Sequence, residues 1–184
     1  MNTLEDIQNK HNFETDKNTR HSYLKYYDEW FLPFKDKEIK LLEIGIATGG
    51  SLMLWNEYFS KCTLFGIDLD ITTIKYDDVF NKSNVFVMPK NFDSINENFM
   101  GDILFDIIID DGSHILEHQI KAFQIFKQKL APGGILVIED VSSYYSHFNY
   151  FTQHLPEMDG CKMLDLRNEN GIEDNILLVY RRPL

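Results

Sequence analysis

Cysteine is nearly missing from this chain: only Cys62 and Cys161 occur in 184 residues. Two thiols cannot build a disulfide framework. Each lies in an apolar segment, so two buried, reduced thiols in a cytoplasmic protein are expected. Basic residues are also scarce, with 18 Lys and Arg against 29 Asp and Glu and a net charge of −11. That balance disfavours a general nucleic-acid binder, which would present a basic face to phosphates. No run of about 18 apolar residues occurs, so no membrane span is expected. The opening MNTLEDIQNK is polar and has no apolar signal region. Repeats and long low-complexity linkers are missing too. What remains is 43% hydrophobic and 14% aromatic residues, enough for one globular domain.

The most informative stretch is Phe105 to His114, FDIIIDDGSH. Ile107, Ile108 and Ile109 form a β-branched run suited to a central parallel strand buried on both faces. Asp110 and Asp111 follow, then Gly112 for a sharp turn, then Ser113 and His114 at the expected start of a helix. In open α/β sheets, ligands bind beyond the carboxyl ends of strands. Two acids and an imidazole stand at such an end.

Upstream, residues 1–20 are polar and predict irregular or loosely helical chain. Tyr23, Tyr26, Tyr27, Trp30 and Phe34 recur at helical spacing, and Pro33 helps end that helix. The stripe either packs the helix on a sheet or forms a lid over a ligand. Residues 40–44 predict the first strand, Gly45 to Gly50 a glycine-rich turn and Ser51 to Phe59 a helix. Such a unit can cradle a nucleotide on backbone N–H groups. The turn is not the dinucleotide G-x-G-x-x-G, because Ala47 stands where glycine is required. Cys62 to Ile67 predicts the second strand. Asp68 at its end is placed for ribose hydroxyls, with Asp70 able to share that role, and helix capping is the alternative for either.

Further strands are predicted at 84–88, 105–109, 135–138, 162–166 and 176–181. A helix is predicted over 115–130, broken by Pro132-Gly133-Gly134. A tight turn at Asn168 to Gly171 implies that the last two strands form an antiparallel hairpin. The expected fold is α/β: a Rossmann-like, doubly wound seven-stranded sheet, mostly parallel, with a C-terminal antiparallel hairpin. Residues 1–35 would be a helical cap on a core of 38–184 within one domain.

Several motifs now carry a resemblance. LLEIGIATGGS, GIDLD and LAPGGILVIEDV resemble the first motif, the second motif and the helix-to-fifth-strand segment of class I S-adenosylmethionine-dependent methyltransferases. More narrowly, the chain is similar to the metal-dependent sugar O-methyltransferases of macrolide (mycinose) biosynthesis. That similarity rests on Asp110-Asp111-Gly112-Ser113-His114, Glu139-Asp140 and Tyr145. Thr15-Asp16-Lys17 and His21-Ser22-Tyr23 match a related N-terminal pattern. The resemblance implies S-adenosylmethionine and Mg²⁺ as cofactors, and a sugar or glycoside hydroxyl as methyl acceptor. It implies metal ligation by Asp111, Glu139 and Asp140, with His114 as general base. To cofactor binding it assigns Asp16, His21, Tyr23, Glu43, Gly45, Thr48, Ser51, Asp68, Asn91 and Asp110. Tyr144 and Tyr145 would border the acceptor, beside His147 and Phe148. The family's G-D-Q after the third strand is replaced here by Pro89-Lys90-Asn91. The oligomeric state stays open, with a homodimer as one option.

Residue chemistry is consistent with these roles. Neighbouring fourth and fifth strands would bring their terminal carboxylates together, as Mg²⁺ requires. A helix N-terminus would bias His114 towards neutral imidazole, able to accept a proton. Other readings are a catechol-like phenol as acceptor and a catalytically silent cofactor- or partner-binding domain. A third arises because His114-Ile115-Leu116-Glu117-His118 also fits the H-x-x-E-H zinc-peptidase pattern, with both histidines on one helix face.

Overall fold

The computed structural model describes residues 2–142, 145–154, 158 and 160–184, and of residues 145 and 146 the backbone alone. Seven strands form one sheet: β1 Glu38–Ile44, β2 Lys61–Asp68, β3 Val85–Pro89, β4 Phe105–Asp110, β5 Leu130–Ile138, β6 Cys161–Asp165 and β7 Ile176–Arg181. Their order is β3-β2-β1-β4-β5-β7-β6. β1 to β5 pair in parallel, and β7 pairs antiparallel with both β5 and β6. The α-helices among the described residues are α1 Leu4–His11, α2 Leu24–Phe31, α3 Gly50–Tyr58, α4 Asp77–Asn81, α5 Leu116–Phe126, α6 Tyr145–His154 and α7 Arg167–Asn170. None is long and apolar enough to cross a membrane.

Period-two alternation divides the core. Ile39, Leu41, Ile107, Ile109, Ile135, Val137, Leu177 and Val179 face α1, α2 and α3. Leu42, Ile44, Ile108, Leu136, Ile138, Ile176 and Leu178 face α5 and α6. Both faces are covered, which is why the central strands read as continuous apolar runs.

Some expectations need correction. The polar N-terminus holds a true helix, α1, because Thr3 and Asp6 form a reciprocal capping box and Leu4 and Ile7 are buried. The aromatic helix is shorter than its stripe: α2 stops at Phe31 and Pro33 lies in a 3₁₀ turn. Tyr23, Tyr27 and Phe31 are buried in the core, so the stripe packs the helix on the sheet. Pro132-Gly133-Gly134 does not precede β5 but lies within it. The β4–β5 register jumps from Phe105–Leu130 to Ile107–Ile135, which absorbs the irregular stretch. The β6–β7 link is not a tight turn either, since α7 and the buried Asn175 intervene. Cys62 is buried as expected, whereas Cys161 is half-buried.

β1 lies between β2 and β4, so the chain's path reverses at this point of the sheet. A ligand crevice is expected just beyond the carboxyl ends there.

Candidate active site

A cavity of about 1040 Å³ opens at that switch point. Its floor is the turn after β1. Gly45 has φ +79°, and a Cβ there would stand 2.0 Å from the Asp111 carbonyl oxygen. Only glycine lets the β1 and β4 ends approach this closely. Asp68 braces the turn: its Oδ2 accepts from the N–H groups of Ile46 and Ala47, both at 2.9 Å. Its Oδ1 accepts from Asp70 N–H at 3.1 Å.

One wall is the segment between α1 and α2. Asn12 to Asp16 and Thr19 line the cavity. A Cβ on Gly50 would lie 2.0 Å from the Glu14 carbonyl oxygen, so the segment presses on the start of α3. The Tyr76 hydroxyl accepts from Glu14 N–H at 2.7 Å, and Lys75 pairs with the Glu14 carboxylate at 2.6 Å.

Of the residues expected to bind cofactor, Asp16, Gly45, Thr48, Ser51, Asp68 and Asn91 line the cavity. His21, Tyr23, Glu43 and Asp110 do not, being buried. Lys90 also lines it. Tyr144 and the side chain of Tyr145 lie outside the described residues. His147 and Phe148 are on α6 and do not line this cavity.

Beneath the cavity lies a cluster of acids around Lys17, a residue to which the sequence reading gave no role. Its ammonium is fully buried. It donates to Asp111 Oδ2 at 2.6 Å and Glu139 Oε2 at 2.9 Å, and stands 3.5 Å from Glu43 Oε1. Tyr27 donates to Glu139 Oε1 at 2.6 Å and Tyr23 to Asp140 Oδ1 at 2.7 Å. Gln119 donates to the carbonyls of Glu139 and Asp140. Thus the N-terminal segment and α2 hold every carboxylate expected to bind metal. The only sequence signal was the Thr15-Asp16-Lys17 pattern itself.

His114 Nε2 lies 3.2 Å from Asp111 Oδ1 and 3.8 Å from Asp140 Oδ2. Both His114 and Asp140 adopt positive φ, +56° and +53°. Such backbone costs energy in non-glycine residues and is concentrated at functional sites.

Charge follows from burial. Burial, with Asp111 beside it, pushes the Asp110 carboxyl up to about 7. Burial also raises Glu43 to about 7, against the pull of Lys17. Glu139 and Asp140 are raised, first by burial and then by the charge of Asp111. For Asp111 burial acts upward, but Lys17 and the His114 bond outweigh it and hold the carboxyl below its usual range. The same contest keeps Lys17 charged: burial disfavours its cation, and three carboxylates restore it. The expected bias of His114 towards neutrality is corrected. Burial lowers its pKa, yet the bond to Asp111 and the charge of Asp140 prevail and raise it. His114 is not inside α5, whose first residue is Leu116, so the dipole is weak beside carboxylates in contact.

These donors fit an oxygen-seeking cation. Asp111 Oδ1, Asp140 Oδ2 and His114 Nε2 lie within 4.8 Å of one another. The cluster of Glu43, Asp110, Asp111, Glu139 and Asp140 has Lys17 as its buried ammonium, so its acids exceed its fixed positive charge. Glu139 is brought to the cluster but turned to Lys17 and Tyr27. The zinc-peptidase geometry fails. His114 precedes α5, and His118 spends both ring nitrogens on Ser113 Oγ at 2.7 Å and Asp93 Oδ1 at 3.0 Å.

No family model matches the chain. It is 33% identical over 141 residues to an 8-demethyl-8-alpha-L-rhamnosyl tetracenomycin-C 2'-O-methyltransferase of Streptomyces olivaceus, covering 71% of this chain and 36% of that protein. It is 30% identical over 137 residues to demethylmacrocin O-methyltransferase of Streptomyces fradiae, covering 68% and 33%. The chain thus spans about a third of the length of these curated relatives. Among solved structures it resembles the MycE methyltransferase of the mycinamycin pathway in complex with Mg, SAH and mycinamycin VI, with TM-score 0.76 and 19% identity. That match covers 99% of this chain and 54% of the other. The Podospora anserina methyltransferase PaMTH1 in its SAH-bound form aligns with TM-score 0.63 and 14% identity over 98% of this chain and 87% of that one. The chain therefore has the Rossmann-like methyltransferase fold and is related in sequence to sugar O-methyltransferases of macrolide and polyketide biosynthesis.

Proposed function

We propose that the chain is an S-adenosylmethionine-dependent O-methyltransferase, assisted by a divalent cation and acting on a sugar hydroxyl of a glycoside. The observation that carries this reading is the adjacency of two sites at one switch point. A glycine-floored cavity meets a carboxylate pair with an imidazole, in a chain related to sugar O-methyltransferases. Gly45 and the turn after it would cradle the methionine part of the cofactor. Asp68 and Asn91 would face its nucleoside, and Asp16, Thr48 and Ser51 would complete the wall. Asp111 and Asp140 would hold Mg²⁺, with Glu139 completing the acidic set through Lys17. Residues 1–35 would act as a cap on the 38–184 core within one domain.

When bound, the sulfonium supplies the methyl group and the cation acidifies the acceptor hydroxyl. Everything else falls to the chain. His114 Nε2 takes the hydroxyl proton, since it faces Asp111 and Asp140, where the acceptor would sit. Asp111 steadies the imidazolium so formed. The Asn12–Asp16 wall orients the donor and excludes water. No protein nucleophile is required.

The test is calorimetry with S-adenosylhomocysteine, followed by methyl transfer to a panel of glycosides with Mg²⁺ or EDTA. Micromolar binding, with transfer that EDTA abolishes while cofactor binding persists, is expected. Binding of NAD instead of S-adenosylhomocysteine would overturn the reading.

A further inference from the structure

A second convergence of donors lies on the other side of Asp140. The N–H groups of Thr19, Arg20 and His21 all donate to the Asp16 carbonyl oxygen, at 3.2, 3.0 and 2.9 Å. This fold-back carries the Asp16 carboxylate towards the His21 ring. His21 Nε2 stands 3.9 Å from Asp16 Oδ2 and 3.4 Å from Asp140 Oδ2. The three donor atoms lie within 4.8 Å of one another.

His21 is the telling member. Its side chain is 1% exposed, yet among the described residues neither ring nitrogen has a hydrogen-bond partner. The ring stacks on Tyr23 at 4.8 Å, which fixes its plane and leaves Nε2 aimed between the two carboxylates. A buried imidazole with no satisfied nitrogen costs free energy unless something occupies its lone pair. Two donors each about 2.1 Å from one cation can be at most about 4.2 Å apart. Both His21 distances meet that limit.

We propose that Asp16, His21 and Asp140 form a site for a divalent transition-metal cation, with Asp140 shared between this site and the Asp111–Asp140 pair that would hold Mg²⁺. An imidazole ligand favours zinc, manganese or cobalt over Mg²⁺, which prefers all-oxygen surroundings. Asp16 and His21 belong to the segment that walls the cavity, and Asp140 follows β5. The cation therefore ties that wall to the sheet. The site goes beyond the proposed transfer reaction and does not depend on it.

The experiment titrates the metal-free full chain with Co²⁺, with and without excess Mg²⁺, by visible absorption and equilibrium dialysis. Two Co²⁺ per chain are expected alone, and one under excess Mg²⁺. His21→Gln should weaken the Mg²⁺-resistant binding by more than about 100-fold. Asp16→Asn should weaken it too, and His114→Gln should leave it in place. Mg²⁺-resistant binding that is absent, or that survives His21→Gln, overturns the proposal. If His21→Gln does not fold, Asp16→Asn decides: unchanged Co²⁺ affinity overturns it. Cofactor takes no part in the titration, so failure of the methyltransferase reading would show separately, in the calorimetry.

Discussion

Lys17 Nζ stands 2.6 Å from Asp111 Oδ2, joining a segment before the sheet to the end of its fourth strand, 94 residues away. The lysine is wholly buried and reaches Glu139 as well, at 2.9 Å. Removing one partner of a buried ion pair leaves the other uncompensated, which costs about 3–5 kcal/mol. Lys17→Met should therefore destabilise the chain by that amount in urea unfolding at pH 7. Adding Asp111→Asn should recover part of the loss, because one stranded charge disappears. A Lys17→Met variant within about 0.5 kcal/mol of wild type would deny the pair any such role.

The turn after β1 offers a steric prediction. At Gly45 an added Cβ would meet the Asp111 backbone at 2.0 Å, and φ is already +79°. Backbone cannot swing aside like a flexible side chain. Gly45→Ala should cost more than about 1 kcal/mol and abolish S-adenosylhomocysteine binding in calorimetry. Gly50→Ala meets backbone too, the Glu14 carbonyl oxygen at 2.0 Å, in the segment that Lys17 anchors. It should likewise cost stability in urea unfolding and weaken S-adenosylhomocysteine in calorimetry.

What the sequence revealed and what it hid divide along physical lines. β4 was legible because Ile107 to Ile109 is buried on both faces and Asp110 to His114 breaks that run abruptly. The acids at its end could be foreseen to meet Glu139-Asp140 once β4 and β5 were neighbours. Lys17 was hidden, because a polar segment carries no periodicity and its partners lie 94 and 122 residues away. Pro132-Gly133-Gly134 misled in the opposite direction. Gly133 N–H donates to the Arg182 carbonyl and Arg182 N–H to that of Gly134, so tertiary pairing keeps this stretch in the strand. The charge bias of His114 was misjudged because a helix dipole was weighed without the carboxylates that contact the ring.

Buried acids make stability depend on pH. Asp110 is raised in the folded chain to about 7 from an ordinary carboxyl value of 3.8. The folded state then holds a proton that the unfolded state has released. Its contribution is greatest below pH 4 and is lost as pH rises towards 7, at about 1.4 kcal/mol per unit while the proton difference lasts. Glu43, also raised to about 7, acts in the same direction. The metal-free chain should thus lose stability between about pH 4 and 7. Asp110→Asn should flatten that slope in denaturation series at fixed salt, and an unchanged slope would contradict the charge assignment.

His114 offers the sharpest functional test. Its ring nitrogen faces Asp111 and Asp140 at the mouth of the cluster, and it contributes nothing to the apolar core. His114→Ala should therefore fold and bind S-adenosylhomocysteine like the parent chain. If the imidazole takes the hydroxyl proton, turnover should fall roughly 10²–10⁴-fold at saturating acceptor. The pH profile adds a sign. The bond to Asp111 and the charge of Asp140 overcome burial and raise the imidazole's pKa, so without a cation the base becomes free only above its usual range. A divalent ion on those carboxylates would draw off the charge that raises it. The rising limb of kcat should then move to lower pH as Mg²⁺ approaches saturation, and it should vanish in His114→Ala. A mutant that keeps both the rate and the limb would leave the cation to acidify the hydroxyl unaided, with His114 serving as a hydrogen-bonded prop for Asp111.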